Sequence, residues 1–415
     1  MQKTPALILS ILLATTAIAQ KNIKQFVTEN AVQIRAISPD STDFSDLKTI
    51  GEAIGDAKIV MLGEQDHGDA PTFLAKTRLI QFLHEKMGFT VLAFESDFFG
   101  LNQGFDRLEK NRDSITNFIR QNIFPIWTGC NTCEQLFYQY IPATYQTENP
   151  LVLSGFDNQM ILGYSTKHLA TYLDSLFQSL HLPITDLPNY KSEILPAIDS
   201  LRYGYGGMPA NYADLEPYLI QIKNQVAGKL ADNSFDIQVI NSLLAEYREF
   251  KLSKADWRSS SHARDSQMAA NLQWLSEVKF PKEKIIVWAA NAHVARYHDS
   301  SRKGTITAMG SFLTSDEKLM KNTYIIGFTS YEGNAGRLGS AIYPVRKPKS
   351  NGFENWIDKS YDYAFVDFRS YLAKKPARSE PFYLKALGHF TAFERDWTRV
   401  FDGVFFIRDM YPCKR

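Results

Sequence analysis

The sequence predicts an α/β fold with a mostly parallel central sheet flanked by helices. Short apolar segments typical of buried strands alternate with amphipathic helical segments along the chain, which is the pattern of strand–helix–strand units. Polar residues directly follow several of the apolar segments, as they do at the strand ends where open α/β sheets bind ligands. The 415 residues can build one large core or two modest ones.

The clearest strand–helix–strand unit spans residues 58–97. Its apolar segment 58–62 predicts a strand, and a polar turn with two glycines follows. A helix is expected to begin near Pro71, with Asp69 as its candidate cap, because proline suits the first helical turn. A second strand is expected over 90–94. Two strands joined in this way are parallel, so their C-terminal ends are expected to lie side by side.

Three candidate catalytic residues follow these two strands: Glu64, His67 and Glu95. A histidine beside carboxylates suits general base catalysis, because the negative charge keeps the histidine pKa near neutrality and a carboxylate fixes its tautomer. His293, just after another apolar segment, is a fourth candidate. A single histidine at a strand end is often purely structural, so the interpretation depends on all four residues meeting in one crevice.

The later chain continues the alternation. Asp157 follows a predicted strand over 150–156, and residues 167–180 predict an amphipathic helix. Residues 182–257 are rich in proline and in helical segments, and we interpret them as a helical insertion beside the active-site crevice. An independent second domain is the alternative. The other expected elements are a helical region over 20–56, a helix over 260–278, and strands over 284–289, 323–330, 363–368 and 404–407.

The first 19 residues resemble a signal peptide. Lys3 gives a basic start, residues 6–18 are apolar, and residues 17–19 form a small-x-small cleavage site. The apolar segment is too short to span a membrane comfortably. We therefore expect a mature domain over 20–415 that is exported, periplasmic or secreted, without a stable membrane anchor; an uncleaved anchor is the alternative.

The charge balance bears on partners. The formal net charge is +1, which argues against nucleic acid or an anionic membrane as the main partner. The sequence does not determine the oligomeric state.

Three cysteines are present: Cys130, Cys133 and Cys413. The first two have the spacing of a redox or metal-binding pair, but a four-cysteine zinc site is excluded by the count. In an exported protein, a local disulfide between Cys130 and Cys133 is the expected reading, with Cys413 free or paired elsewhere.

Two basic residues lie on apolar helical stripes. Lys76 is in line with Ile80 and Leu83, and Arg264 is in line with Met268. A buried cation needs an anionic partner or a water-filled pocket, and Glu64 and Glu95 are the obvious partners. The alternative is that each side chain reaches solvent. The sequence has no Gly-x-Ser-x-Gly elbow, no Walker A loop and no dinucleotide fingerprint, which favours direct attack by activated water.

Four segments resemble the erythromycin esterase family. They are Gly63-Glu64-x-x-His67-Gly68, Phe94-Glu95-Ser96, Arg264-Asp265-x-x-Met268-Ala269-x-Asn271 and Val287-Trp288-Ala289-x-Asn291-Ala292-His293-Val294. The likeness spans residues 45–410. It implies a hydrolase of the non-serine class that acts on a small-molecule ester or lactone and needs no cofactor.

The resemblance also implies roles. His67 would activate water as the base, and Glu64 and Glu95 would orient His67 and position the water. His293 would contact the carbonyl or relay a proton. The residues expected to bind substrate or support the site are Lys76, Arg264, Asn291 and Asp157. Two departures bear on the substrate: Ala290 stands where the family often has histidine, and Lys76 where macrolide esterases have arginine.

Two alternatives stay open. Glu64, His67, Glu95 and His293 would also suit a divalent metal, which would make water activation metal-dependent. The fold could also serve as a non-catalytic protein that binds a glycan or another small molecule in the same crevice.

Overall fold

A computed structural model describes residues 22–206, 214–296, 300–301, 304–305, 308–374 and 380–415. The predicted signal peptide, residues 1–19, lies outside these ranges. No helix within them is both long and apolar enough to cross a membrane.

The strands are β1 (Val32–Ile34), β2 (Ile59–Leu62), β3 (Phe89–Asp97), β4 (Val152–Asp157), β5 (Lys284–Trp288), β6 (Ser300–Ser301), β7 (Gly304–Thr305), β8 (Thr323–Ala335), β9 (Tyr343–Pro344), β10 (Tyr363–Asp367), β11 (Phe382–Leu384), β12 (Phe393–Arg395) and β13 (Gly403–Met410).

The helices are α1 (22–30), α2 (Lys48–Ile54), α3 (Ala70–Met87), α4 (Phe105–Arg107), α5 (Arg112–Asn122), α6 (Pro125–Thr128), α7 (Ile141–Thr144), α8 (Gly163–Ser179), α9 (Leu195–Ser200), α10 (Glu216–Val226), α11 (Phe235–Leu252), α12 (Trp257–Trp274), α13 (Asn291–Val294), α14 (Met309–Leu313), α15 (Glu317–Asn322) and α16 (Phe368–Lys374). Short 3-10 or π turns lie at Ser45–Leu47, Gly100–Gly104, Asn131–Cys133, Gln135–Tyr140, Pro183–Asp186, Tyr190–Ile194, Leu201–Gly206, Leu275–Lys279, Phe353–Asn355 and Trp397–Arg399.

The central sheet has the order β1-β10-β13-β8-β2-β5-β3-β4, and β9 pairs with the end of β8. The strands from β13 to β4 are parallel, whereas β1, β10 and β9 pair in antiparallel fashion. The predicted α/β class with a mostly parallel sheet is therefore confirmed.

Both faces of the sheet are covered. In β2, Ile59 and Met61 pack into a core with α8 and α10–α12, while Val60 and Leu62 pack with α2, α3 and α5 on the other face. Burial on both faces explains why the strand sequences are continuously apolar and do not alternate between apolar and polar residues.

The expected pairing of the first two strands was wrong. β5 lies between β2 and β3, so that Trp288 is opposite Leu62 on one side and Phe94 on the other. The ends of β2 and β3 still share one edge of the sheet, but the segment after β5, which carries His293, lies between them. Strand order in a parallel sheet follows packing rather than sequence order, so neighbouring segments along the chain need not be neighbours in the sheet.

Other boundaries also differ from the prediction. The N-terminal region contains the edge strand β1 as well as helices. β3 continues to Asp97, so Glu95 lies within the strand and not after it. Asp69 takes the cap position of α3, but its carboxylate accepts no helical N–H. It accepts the backbone N–H of Asp66 instead, at 3.0 Å.

The expected Cys130–Cys133 disulfide was also wrong. Cys130 pairs with Cys413, with their Cα atoms 5.6 Å apart, and Cys133 is a buried free thiol. Sequence spacing alone favoured the local pair, but the fold returns the end of the chain to Cys130. Between β4 and β5, the described parts of residues 182–257 are largely helical and include α9, α10 and α11.

Candidate active site

Glu64 is a fully buried carboxylate held by three donors. It lies just after β2, where Gly63 is required because a Cβ there would come within 1.9 Å of Asn291 Oδ1. Lys76 Nζ donates to Oε2 at 2.6 Å. Trp127 Nε1 donates to Oε1 at 3.0 Å, and His67 Nδ1 lies 2.7 Å from the same oxygen.

These contacts give the two nitrogens of His67 different roles. Two other donors fix Glu64 as an acceptor, so the proton of a neutral His67 belongs on Nδ1. Among the described residues, no protein atom forms a hydrogen bond with Nε2. The side chain is 15% exposed, and its ring meets that of Trp127 edge-on at 5.2 Å. His67 therefore presents a lone pair to the crevice.

Lys76 is buried as completely as Glu64. It extends from α3 across the ring of Trp288, 4.2 Å from its centroid, and contacts Ala289 O at 3.3 Å. Burial lowers the pKa of Lys76, and the attraction of Glu64 opposes this change. The expectation that Glu64 is its partner is confirmed, and the alternative of a solvent-exposed lysine is wrong.

Glu95 is the second buried carboxylate of the site and lies in β3. Its Oε2 accepts the backbone N–H of Ala290 at 2.9 Å, and its Oε1 accepts from Arg264 at 3.1 Å. Burial alone raises the pKa of Glu95. Nearby positive charges, of which His293 is the largest, outweigh burial and lower the pKa to about 2. Glu95 is thus a permanent carboxylate.

His293 differs from His67 because both of its nitrogens face carboxylates. Nδ1 lies 2.7 Å from Asp265 Oδ1, and Nε2 lies 3.3 Å from Glu95 Oε1. Burial lowers the pKa of His293, but the two carboxylates outweigh it and raise the pKa to about 9. His293 is therefore an imidazolium at neutral pH.

Asp265 was not among the predicted site residues. Its carboxylate also accepts the backbone N–H of Met309 at 2.9 Å and the hydroxyl of Ser261 at 3.1 Å. The signal that could have found it is its position directly after Arg264 in the third family-like segment. Because α12 carries both residues, one helix supplies a cation and an acid to the site.

Arg264 bridges two carboxylates that lie on neighbouring strands of the sheet. Its guanidinium binds Asp157 through two hydrogen bonds, of 2.6 and 3.1 Å, and also reaches Glu95. Glu249 of α11 lies 3.8 Å from the same group. The carboxylates outweigh burial and raise the pKa of Arg264. The predicted partnership with Glu95 is confirmed, and Asp157 positions the arginine.

Two more buried acids lie behind this pair. Burial raises the pKa of Asp97 to about 7. Burial and the charge of Asp97 raise the pKa of Glu246 well above its usual value. Asp97 can therefore hold a proton near neutrality, which limits the negative charge beside Asp157.

Asn291 serves the backbone rather than the crevice. Its side chain donates to Phe328 O and Ala386 O, both at 2.7 Å, and accepts from Phe328 N at 3.0 Å. Its own backbone N–H donates to Glu64 O at 2.7 Å. Asn291 is 1% exposed, so it supports the loop of Glu64.

The loop that carries His67 is anchored on both sides of that residue. Asp66 accepts from Tyr343 and from Arg337, each at 2.6 Å. Asp69 lies 2.8 Å from Nε2 of the fully buried His389, whose Nδ1 lies 3.1 Å from Ser330 Oγ. These partners could not be predicted from local patterns, because they lie more than 250 residues further along the chain.

The C-terminal segment ties this loop to Trp127. Cys413 N donates to Gly68 O at 2.8 Å. The Cys413 side chain forms the disulfide with Cys130, which lies three residues after Trp127. Ala70 N donates to Tyr411 O at 3.2 Å. The last residues of the chain therefore hold the His67 loop and the helix of Trp127 together.

Both candidate carboxylate ligands of a metal, Glu64 and Glu95, already pair with cations. Within the part of the chain that the structure describes, no group of three or more His, Cys, Asp or Glu side chains is arranged to hold a metal ion. Lys76 forms an ion pair with Glu64, and Arg264 forms one with Glu95. Cations at both carboxylates are unfavourable to a bound divalent metal.

The arrangement has a clear chemical capacity. When its Nε2 carries no proton, His67 can take one from water. Across from it, an imidazolium and a guanidinium can stabilise negative charge on a substrate. His67, His293 and Arg264 reach solvent with 15–18% of their side chains exposed, whereas the acids that orient them are buried.

Comparison with known proteins gives a family match. The family model described as erythromycin esterase matches residues 84–410. The matched part includes Glu95, Arg264 and His293, whereas Glu64 and His67 precede it. A Bacillus subtilis (strain 168) protein named as a hydrolase, YbfO, is 26% identical over 354 residues, 78% of this chain and 77% of that protein. Erythromycin esterase type II of Escherichia coli is 33% identical over 107 residues, 25% of each chain.

Solved structures share the fold. A mutant of the erythromycin esterase EreC in its open conformation has a TM-score of 0.66 at 17% identity, over 92% of this chain and 98% of that chain. A succinoglycan biosynthesis protein has a TM-score of 0.64 at 22% identity, over 95% of this chain and 98% of that chain.

Proposed function

The chain belongs to the erythromycin esterase family and is a hydrolase, and we propose that it cleaves an ester or lactone bond with water activated by His67. The observation that carries the proposal is the contrast between the two histidines of the crevice. His67 has one carboxylate partner and an open Nε2, whereas His293 has carboxylates at both nitrogens. One is suited to accept a proton, and the other is suited to remain charged.

In the proposed reaction, His67 Nε2 takes a proton from water as the water oxygen bonds to the carbonyl carbon. The negative charge passes to the carbonyl oxygen. When the tetrahedral species collapses, the ester C–O bond breaks and the leaving alkoxide takes the proton from Nε2. Glu64 accepts from Nδ1 throughout and stabilises the transient imidazolium, while Lys76 and Trp127 hold Glu64.

The cationic side of the crevice would stabilise the charge on the carbonyl oxygen. His293 and Arg264 are held in place by Asp265 and Asp157, so little reorganisation is needed as charge develops. Glu95 Oε1 contacts both cations, Arg264 at 3.1 Å and His293 Nε2 at 3.3 Å. We propose that it aligns both cations and the attacking water.

The substrate is a small-molecule ester or lactone in this proposal. The family match supports hydrolysis, and a macrolide lactone is one member of the panel to be assayed. Ala290, where the family often has histidine, and Lys76, where macrolide esterases have arginine, argue for a different substrate.

We further propose that no metal takes part. This is supported by the donor set, since Lys76 and Arg264 neutralise the two carboxylates that a metal would need. Hydrolysis that survives dialysis against a chelator would agree with the proposal, and loss restored by one divalent metal would overturn this part of it.

A second route has one observation in its favour. Ser330, His389 and Asp69 form a serine–histidine–aspartate row with contacts of 3.1 and 2.8 Å. All three side chains are fully buried, so the serine cannot reach an ester, and we assign the row to positioning of the His67 loop. Ser330→Ala that keeps turnover would agree with this assignment, and a loss of turnover in a folded variant would favour the serine route.

Export is proposed from the N-terminal pattern and is supported by the Cys130–Cys413 disulfide, since disulfides persist in oxidising compartments.

The proposed function is tested by assaying the purified mature chain on acyl esters, simple lactones and macrolides, with the acid product followed by titration. Acid release from some members supports the proposal. Absence of acid release across the panel, together with hydrolysis of another bond type such as an amide, would overturn it.

A further inference from the structure

The helical region between β4 and β5 places two buried acids next to the site that the proposed reaction does not use. They are Glu246 and Glu249, which lie one helical turn apart on α11. Glu246 is fully buried, and Glu249 is 1% exposed. A buried charge is costly unless hydrogen-bond donors or an opposite charge surround it. The contacts of these two acids therefore indicate their role.

Both acids hold the segment that directly follows β4. Glu249 Oε1 accepts from Gln159 Nε2 at 2.6 Å, and Glu249 Oε2 accepts from Asn158 Nδ2 at 2.9 Å. Glu246 Oε1 accepts the backbone N–H of Met160 at 3.1 Å. Three consecutive residues of this segment are thus bound to α11, so α11 fixes the path of the chain as it leaves β4.

Glu249 also contacts the helix and the side chain of Arg264. Its backbone carbonyl accepts from Ser260 Oγ at 2.8 Å, and Ser260 lies one turn before Arg264 on α12. Glu249 Oε1 lies 3.8 Å from Arg264 Nε. Burial lowers the pKa of Arg264, but the charges of Asp157 and Glu249 outweigh it and raise the pKa. Glu249 therefore links α11, α12 and the segment after β4.

The contacts of Arg264 leave one of its nitrogens open. Nε and Nη2 donate to the two oxygens of Asp157, and Nη2 also donates to Glu95. Nη1 forms no hydrogen bond with any residue that the structure describes, and it reaches solvent. Because a planar guanidinium is held side-on by Asp157, the direction of Nη1 follows from the position of that carboxylate.

We propose that Glu249 is a positioning residue that keeps Nη1 of Arg264 directed at the carbonyl oxygen of the substrate. It binds the segment that follows Asp157, and it attracts the guanidinium directly. In this proposal the helical region is part of the active site and not a separate binding domain. The effect of Glu249 on turnover rests on the proposed ester hydrolysis, whereas its effect on the position of Arg264 does not.

The first test is Glu249→Gln, which keeps the size of the side chain but removes its charge and replaces one acceptor by a donor. Because Arg264 acts on charge that develops in the transition state, kcat is expected to fall about ten- to a hundredfold, while KM changes less than about threefold. Asp236→Asn is the control. It makes the same kind of change on α11, where Asp236 accepts from Tyr172 of α8, and should leave both constants unchanged. An unchanged kcat in Glu249→Gln, or equal losses in the two variants, would overturn the proposal.

A double-mutant cycle separates this role from a general effect on stability. Arg264→Lys removes Nη1, so Glu249→Gln should lower kcat less than about threefold in that background. A loss of the same size in both backgrounds would overturn the proposal. If Glu249→Gln does not fold, Gln159→Ala replaces it in the cycle, because it removes the 2.6 Å hydrogen bond to Glu249 and keeps every charge. Its loss of about three- to tenfold should likewise disappear in Arg264→Lys, and a loss that persists there would overturn the proposal.

A measurement without substrate distinguishes this inference from the proposed function. The Nε–H signal of Arg264 in a proton–nitrogen NMR spectrum is identified by its absence from Arg264→Lys. Glu249→Gln is expected to shift this signal, because the carboxylate lies 3.8 Å from Nε, whereas Asp236→Asn should not. An unmoved signal, or an equal shift in both variants, would overturn the proposal even if esters are hydrolysed. A shift in Glu249→Gln alone supports the positioning of Arg264 by Glu249 even if they are not.

Discussion

Lys76 Nζ lies 2.6 Å from Glu64 Oε2, and neither side chain reaches solvent. A buried ion pair contributes little to stability relative to a well-packed apolar pair, but removal of one partner is costly because the other charge stays buried. The pair therefore indicates a function for the charge on Glu64. That function is to hold the Nδ1 proton of His67.

We expect Lys76→Met to lower the free energy of unfolding by about 3 kcal/mol and to reduce kcat. The reason is that Glu64 loses the cation that compensates for its burial. Denaturant unfolding measures the change. Lys321→Met is a matched control, because Lys321 also lies 2.6 Å from a glutamate, Glu317, but on the surface. Similar effects of the two variants would contradict the special status of the buried pair.

Trp127→Phe is expected to lower kcat about 10- to 150-fold while the fold is kept, because a hydrogen bond to a charged group is worth about 1.5–3 kcal/mol. The variant keeps a ring against His67 but removes the N–H that Glu64 accepts. Trp274→Phe is the control, since it removes an N–H that donates to Asn233 O at 2.7 Å, away from the site. If both variants lower kcat alike, the loss reflects stability and not the Glu64 contact.

The pH dependence should report on His293. Its pKa is raised to about 9, so kcat/KM is expected to fall as pH rises through that value and the imidazolium is lost. Asp265→Asn removes the largest favourable charge and should move this alkaline limb to lower pH. The pH profile of kcat/KM, with NMR titration of His293, measures both. An unshifted limb would show that Asp265 does not set the charge of His293.

The raised pKa of His293 also makes the free energy of unfolding depend on pH. A folded-state pKa raised from 6.5 to about 9 adds stability that is fully present below pH 6.5 and is lost as pH rises through 9. The wild type should therefore lose part of its unfolding free energy over this range. Asp265→Asn should show a smaller loss.

The disulfide gives a further prediction. Cys413→Ser is expected to lower the free energy of unfolding by about 3 kcal/mol, the typical contribution of a disulfide, and to reduce kcat by freeing the His67 loop. Cys133→Ala is the control, because Cys133 is a free buried thiol. Peptide mapping without reductant should find Cys130 linked to Cys413. A Cys130–Cys133 link would contradict the structure.

Local spacing was enough to predict part of the site. Glu64 and His67 lie three residues apart in one turn, and Lys76 lies on the helix that follows, so their meeting needs only one strand–helix unit. Arg264 and His293 could be placed at strand and helix ends by the same reasoning. The resemblance in four segments then fixed the order of these parts.

Long-range partners could not be predicted in the same way. The place of β5 between β2 and β3 depends on packing across the whole sheet. His389 meets Asp69, and Cys413 meets Cys130, only because the C-terminal segment returns to the start of the fold. Asp265 was overlooked although it adjoins Arg264, because a helical acid next to an arginine has no distinctive pattern.

The most direct measurement is kcat/KM of His67→Ala on the best ester of the panel, with unfolding followed to confirm that the variant is folded. If Nε2 of His67 takes the proton from water, kcat/KM should fall by about a hundredfold or more, the usual contribution of a general base. A folded His67→Ala variant with a rate close to that of the wild type would contradict the central claim.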